Sequence, residues 1–144
     1  MQAPRLTHQI MRNLIKFYRN EYMNNVIKLE EIGQFILSIA LFSSLDYAWW
    51  VFPLLLLTPD ISMIGYVWNT KVGAVLYNIF HHKLLGILLL IIGFYGEING
   101  LSLVGIIIFG HAAFDRIFGY GLKFSDNFKH THLGWIGSEN SDGN

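Results

Sequence analysis

The sequence predicts an all-α integral membrane protein: a four-helix up-down bundle with an N-terminal amphipathic helix and a C-terminal cytoplasmic segment. The chain of 144 residues is 53% hydrophobic and only 14% charged, whereas a soluble domain is nearer one quarter charged. It contains four apolar stretches of about 20 residues, the length that crosses ~30 Å of hydrocarbon as a helix. The connections between these stretches are short, which favours antiparallel neighbours.

Residues 1–25 form a polar and basic segment that precedes the apolar stretches. Its basic side chains are Arg5, Arg12, Lys16 and Arg19. Ile10, Leu14 and Phe17 fall on one helical face, which is typical of a short amphipathic helix lying on a membrane surface. A solvated tail is the alternative interpretation.

The membrane domain is predicted over residues 26–136. Its four spans are residues 26–45, 48–67, 72–95 and 101–120. Trp49 and Trp50 lie at the start of the second span, where an interfacial aromatic belt is expected. Thr58-Pro59 predicts a break or kink further along that span, with Pro59 restarting the helix. Residues 137–144, GSENSDGN, have the composition of a disordered tail.

The distribution of lysine and arginine predicts the orientation in the membrane. The N-terminal segment, the second connection with Lys71 and the C-terminal segment all carry basic residues. The first and third connections contain Asp46 and Glu97 but no lysine or arginine. The positive-inside rule therefore places both termini in the cytoplasm and the chain, as a multi-pass protein, in the cell inner (plasma) membrane.

Net charge and cysteine content exclude several classes of function. The formal net charge is zero, which argues against a nucleic-acid partner. Since the chain has no cysteine, disulfides and thiolate metal sites are excluded. The expected partners are the lipid bilayer and a lipid-like substrate, and a homodimer is left open.

Ionisable side chains of the four spans are predicted to converge at one depth. Counting ~1.5 Å per residue from the cytoplasmic ends puts Asp60, His81 and His111 roughly 12–14 Å deep. Glu30 and Asp115 come about one turn shallower. An ionised carboxylate at such a depth costs roughly 2.5–3.5 kcal/mol, so a functional polar pocket is favoured over a purely structural network.

Imidazole and carboxylate groups are ligands for zinc, manganese and iron. Metal ligation is predicted for His81, His111, Asp115 and His132. Catalytic roles are predicted for Glu30, Asp60 and Arg116, with Glu30 as general base or further ligand and Asp60 as a further candidate ligand. Arg116 and Lys123 also suit a phosphate or another anionic head group.

Five blocks of the sequence resemble a known family. They are LE at Leu29-Glu30, WWxFxxLLLxPDxSMxGY from Trp49, GAxxYNxxH from Gly73, HxxxDRxxGYGLKF from His111, and FKxTHLGxIG from Phe128. In order and spacing these are similar to domain-of-unknown-function family 4260, small bacterial integral membrane proteins. The resemblance implies a multi-span membrane protein and supplies no activity. The positions in these blocks that we assign to substrate binding are Tyr66, Tyr77, Asn78, Lys123 and Thr131.

The function predicted from these residues is a metal-dependent hydrolase acting on a lipid-like or anionic membrane substrate. A non-catalytic accessory or structural membrane protein is the first alternative, and a small carrier or proton-coupled transporter is the second. Residues 119–134 are expected either to fold back as a lid over the pocket or to lie on the surface.

Overall fold

A computed structural model of the chain describes the backbone of residues 3–137 and the side chains from residue 9. The predicted disordered tail, from residue 138 onward, lies outside the described residues. The chain divides into two compact units, Met1–Glu30 and Glu31–Asn144. The proposed site belongs to the second unit.

The structure is mainly helical, which confirms the all-α prediction at that level. Its elements are α1 (Ala3–Ser43), α2 (Val51–Leu56), a 3₁₀ helix (Thr58–Val67), α3 (Thr70–Phe80), α4 (Lys83–Tyr95), α5 (Asn99–Ile117), β1 (His130–Thr131) and β2 (Gly134–Trp135). The two short strands pair antiparallel as a hairpin that the sequence analysis does not predict.

Helix α1 continues through the boundary predicted after residue 25. No proline or glycine occurs between Arg5 and Ile32, so nothing in the sequence interrupts its backbone hydrogen bonds. The amphipathic segment and the first predicted span are therefore parts of one helix, and the division into units falls at Glu30.

Helix α5 alone, within residues 3–137, is long and apolar enough to span a membrane. More than half of it is buried inside the protein, so it is also the central helix of the fold. Helices α3 and α4 pass the same test together, as a pair bent by 43°. The structure thus supports one helix of spanning length, or two counting the bent pair, and does not confirm four uninterrupted spans.

The second predicted span is broken at the place that Thr58-Pro59 indicates. Helix α2 ends at Leu56, and Pro59 lies in the first turn of the 3₁₀ helix, where its missing N–H costs no hydrogen bond. The Thr58 hydroxyl donates to the Leu55 carbonyl at 2.7 Å. Asp60 follows in that first turn, so the break positions its carboxylate.

The third predicted span, residues 72–95, is also interrupted and is made of α3 and α4. His81 ends α3 with φ −107° and ψ 13°. His82 then caps α4, its side chain accepting a hydrogen bond from the Leu84 N–H at 3.3 Å. A side chain that caps the next helix offers the backbone an alternative to continuing the first one.

Helices α4 and α5 touch through glycines. A Cβ at Gly105 would lie 2.4 Å from the Leu90 nitrogen, and one at Gly93 would lie 2.4 Å from the Ser102 nitrogen. The two backbones are therefore in direct contact, as in helix pairs packed through small residues in membranes. This contact sets the position of α5, which carries two of the side chains described next.

Candidate metal centre

Four side chains from three elements meet at one point: Asp60 of the 3₁₀ helix, His81 at the end of α3, and His111 and Asp115 of α5. One ligand atom of each lies within 4.8 Å of the corresponding atoms of the other three. The structure therefore brings together three of the predicted ligands and the predicted catalytic Asp60, as a group that can hold a metal ion.

The distances within this group match those of a small coordination sphere. The Nε2 atoms of His81 and His111 are 2.9 Å apart. Asp60 Oδ1 lies 3.2 Å from the first and 3.5 Å from the second, and Asp115 Oδ2 lies 3.6 and 3.7 Å from them. Tetrahedral ligands with bonds of ~2.0–2.1 Å are separated by roughly 3.3–3.4 Å, and these five distances lie within about 0.5 Å of that separation.

Helical spacing explains how the pieces of the group form. His111 and Asp115 are four residues apart on α5 and share a face, and the same spacing relates Tyr77 to His81. The rings of Tyr77 and His81 stack with centroids 3.6 Å apart. His81 Nδ1 lies 2.8 Å from the Tyr77 carbonyl oxygen. Because a carbonyl can only accept a hydrogen bond, Nδ1 carries the proton, and the lone pair of Nε2 faces the other three side chains.

The group is closed on its imidazole side and open at Asp60. The side chains of His81 and His111 are 3% and 1% exposed, whereas those of Asp60 and Asp115 are 34% and 15% exposed. His111 Nδ1 is buried and has no hydrogen-bond partner among the described residues. Asp115 Oδ2 accepts a hydrogen bond from the Tyr77 hydroxyl at 2.9 Å. Solvent or a ligand therefore reaches the group past Asp60.

Lys123 lies behind the group, and its ammonium is already engaged. Lys123 Nζ donates to the Phe128 carbonyl at 2.9 Å and lies 3.7 Å from the centre of the Phe128 ring. It is also 4.8 Å from the centre of the Tyr77 ring. Burial lowers the pKa of Lys123, and the charges of Asp115 and Asp60 oppose that shift. The Lys123 ammonium therefore packs next to Tyr77, outside the four-residue group, and its contacts with Phe128 leave it less available to bind an anionic substrate.

Asn78 and Thr131, two predicted substrate-binding residues, hold the C-terminal segment in place. Asn78 Nδ2 donates to the Lys123 carbonyl at 2.9 Å, and the Lys123 N–H donates to Asn78 Oδ1 at 2.7 Å. Thr131 pairs with Lys123 in an antiparallel bridge, and its hydroxyl donates to the Gly134 carbonyl at 2.8 Å. The two hydrogen bonds of Asn78 thus hold the C-terminal segment against α3.

His132 and Arg116 are not brought into the group. His132 Nδ1 accepts a hydrogen bond from the Leu122 N–H at 2.8 Å, and its ring lies where a Cβ at Gly121 would be 2.6 Å from Nδ1. The structure therefore places His132 in the C-terminal hairpin region and away from the other predicted ligands. Arg116 Nη1 donates to the Ala112 carbonyl of its own helix at 3.3 Å.

The remaining predicted site residues are Glu30 and Tyr66. Glu30 is exposed and belongs to the first unit, and it is not one of the four side chains of the group. Tyr66 packs its ring over Gly73, where a Cβ would lie 2.3 Å from the ring. Its hydroxyl is buried with no hydrogen-bond partner among the described residues. Of the predicted substrate-binding residues, Tyr66 is the one whose hydrogen-bonding capacity is not already used within residues 9–137.

A second polar contact was missed by the sequence analysis. Lys83 of α4 donates from Nζ to Glu31 and, at 2.6 Å, to Gln34 Oε1. Glu31 is buried, so its charge requires such a partner. The signal was available: an acid in one apolar stretch and a base in another can neutralise each other. The pair connects the part of α1 after Glu30 to the start of α4.

A family model described as domain of unknown function 4260 matches residues 24–136. The chain belongs to this family. All four side chains of the candidate centre, together with Tyr77 and Lys123, lie inside the matched range. No curated protein and no solved structure matches the chain.

Proposed function

We propose that this family member is a membrane-embedded, metal-dependent hydrolase acting on a lipid-like or anionic membrane substrate. A zinc, manganese or iron ion would be held by Asp60, His81, His111 and Asp115. The observation that carries the proposal is the approach of two imidazole Nε2 atoms from different helices to 2.9 Å, with a carboxylate oxygen beside each. Two nitrogen and two oxygen donors form a set that these ions accept.

Charge balance supports a bound cation. With neutral imidazoles, the group carries the two negative charges of Asp60 and Asp115, both only partly exposed. Carboxylates in apolar surroundings are costly unless they are paired, and within residues 9–137 neither carboxylate forms an ion pair with a lysine or arginine; their ionic partners are the two histidines. A divalent ion would neutralise both carboxylates at the point where their oxygens meet the imidazoles.

The exposed side of the group suits hydrolysis. A metal ion bound there supplies Lewis acidity and activates water. Asp60 is the most open of the four side chains. Its Oδ1 lies near both imidazoles, and its second carboxylate oxygen would take a proton from the attacking water. The water oxygen would bond to the carbonyl carbon or phosphorus of an ester, and the leaving alkoxide would take up the proton. Manganese and iron accept more than four ligands, which leaves room for water and substrate; a zinc ion, which usually takes four, would have such room only with Asp60 as base and not as ligand.

The membrane setting is part of the same proposal. The supporting observations are the apolar helix α5, the bent apolar pair α3 and α4, and the glycine contacts between α4 and α5. With the basic residues distributed as described, both termini and the open side of the group would face the cytoplasm.

A non-catalytic accessory protein is the second candidate. This candidate is supported by the distance between His81 and His111, which is that of a hydrogen bond, so the four side chains can form a hydrogen-bonded network without an ion. The same contact would serve a proton relay in a carrier, the third candidate.

The deciding experiment is the metal content of detergent-purified protein. We expect stoichiometric metal in the wild type and its loss in His81→Ala and His111→Ala, because each removes a ligand atom. His132→Ala is the matched control that should keep the metal, since its ring hydrogen-bonds to the Leu122 N–H outside the group.

Circular dichroism of each variant separates lost binding from lost folding. A wild type that holds no metal and takes up none on addition would overturn the metallohydrolase and favour the accessory protein. If metal is present, the loaded protein is assayed against ester and phosphodiester substrates, with the two ligand variants as blanks. If the loaded wild type turns over these substrates no faster than the two variants, the protein binds metal but is not a hydrolase for these substrates.

A further inference from the structure

An apolar cavity of about 240 Å³ lies beside the candidate metal centre. Three of its wall segments also carry the ligands. Pro59 directly precedes Asp60, Phe80 directly precedes His81, and Ile107 lies one helical turn before His111. Cavity and metal group are therefore built on the same 3₁₀ helix, on the end of α3, and on α5.

The lining of this cavity offers almost nothing to a polar ligand. Thr58 is its one hydroxyl-bearing residue, and that hydroxyl is already donated to the Leu55 carbonyl at 2.7 Å. The other lining side chains are aliphatic, aromatic or proline. Since an apolar cavity does not retain ordered water, its natural occupant is hydrocarbon.

We propose that the cavity binds the single alkyl chain of an amphiphile and so holds the head group of that molecule next to the candidate metal centre. The inference rests on the proposed hydrolase for the idea that the bound molecule is its substrate. It narrows the substrate class to single-chain or chain-inserting amphiphiles, such as fatty-acyl esters or alkyl phosphates. A volume of 240 Å³ holds roughly eight methylene groups, if each takes about the space of a water molecule in the liquid.

The alkyl chain of the ligand can enter the cavity from its open side. Phe80 and Val104 line the cavity and are 42% and 46% exposed, so its rim is open to the surrounding medium. In a membrane that medium is the acyl region of the bilayer. A lipid chain would then pass into the cavity without leaving hydrocarbon, while its ester or phosphate stays near the exposed Asp60.

The test uses a fatty acid with a photoreactive diazirine in mid-chain, added to the full-length protein in lipid nanodiscs. Cross-linked peptides are identified by mass spectrometry. We expect labelling of the α5 and α2 peptides that line the cavity, and this labelling should saturate. Unlabelled fatty acid added to the same nanodiscs should compete for these peptides. Labelling by bulk lipid contact does not saturate.

Val104→Trp should fill the cavity and weaken the labelling at least tenfold, whereas Val104→Ala should leave it saturable. Val75→Trp and Val75→Ala are matched controls, because Val75 is exposed on α3 and does not line the cavity. Labelling that does not saturate, or that Val104→Trp leaves unchanged in folded protein, overturns the chain site.

The proposed alkyl-chain site (the chain site) and the proposed hydrolase activity are overturned by different results. A protein that binds metal and cleaves short soluble esters but shows no saturable labelling lacks the chain site only. Saturable labelling in a protein without metal keeps the chain site and removes the hydrolase. His111→Ala should lose metal and retain the labelling, since His111 does not line the cavity.

Discussion

At the scale of single residues, Tyr77 makes the largest number of contacts that orient the candidate ligands. Its carbonyl fixes the tautomer of His81, its ring stacks on that imidazole, and its hydroxyl donates to Asp115. The carbonyl contact raises the basicity of the His81 imidazole, and the hydroxyl contact orients the Asp115 carboxylate. Replacing the hydroxyl alone leaves the carbonyl contact and most of the stacking intact.

We expect Tyr77→Phe to lower metal affinity by ~10–100-fold, the usual cost of losing an outer hydrogen bond to a ligand. Competition with a chelator of known affinity measures the change. Tyr120→Phe is the control, because Tyr120 is exposed and lies in the loop after α5. An affinity equal to that of the wild type would show that the Tyr77 hydroxyl does not support a metal ligand.

At the scale of elements, the glycine contact between α4 and α5 sets the distance between the helices. Gly86, Gly93 and Gly105 each lie where a Cβ would come within 3.0 Å of backbone on the other helix. Backbone atoms cannot turn aside as a flexible side chain can, so a methyl group there must move a helix. His111 and Asp115 would move with α5.

We expect Gly105→Ala to destabilise the protein by about 1–3 kcal/mol, the cost of inserting volume into a tightly packed contact. Gly100→Ala on the same helix has nothing within 4 Å of the new Cβ, so it should be neutral or slightly stabilising through helix propensity. Thermal unfolding in detergent compares the two variants. Equal melting temperatures would mean that α4 and α5 do not pack through Gly105.

At the scale of the whole molecule, the proposed membrane topology can be read directly, because the chain has no cysteine of its own. A single introduced thiol therefore reports on one position. Asp46 follows α1 and Lys71 lies in the first turn of α3, and both are exposed. The predicted topology puts these two positions on opposite sides of the membrane.

In intact cells, we expect a membrane-impermeant maleimide to label Asp46→Cys, while Lys71→Cys reacts only after the membrane is opened. The reason is the distribution of basic residues, which places Lys71 on the cytoplasmic side. Metal binding by each variant provides the check on folding. Equal labelling of both positions in intact cells would contradict the multi-pass arrangement.

Features that depend on neighbours along the chain follow from the sequence alone. The four-residue spacing of His111 and Asp115 and of Tyr77 and His81 places each pair on one face of a helix. Proline at position 59 interrupts a helix wherever the chain goes next. Three side chains of the group, His81, His111 and Asp115, were predicted as ligands and Asp60 as a catalytic residue and further candidate ligand, whereas the predicted ligand His132 is not in the group.

Which distant residues meet depends on the tertiary fold. His132 is in the same motif as Thr131, but its imidazole is used by the Leu122 N–H, ten residues back along the chain. The break after His81 depends on His82 capping α4, and Lys83 is tied to Glu31 from a different helix. Backbone and charged groups taken out of water accept whichever partner the fold brings within reach. Spacing along the chain does not contain that information.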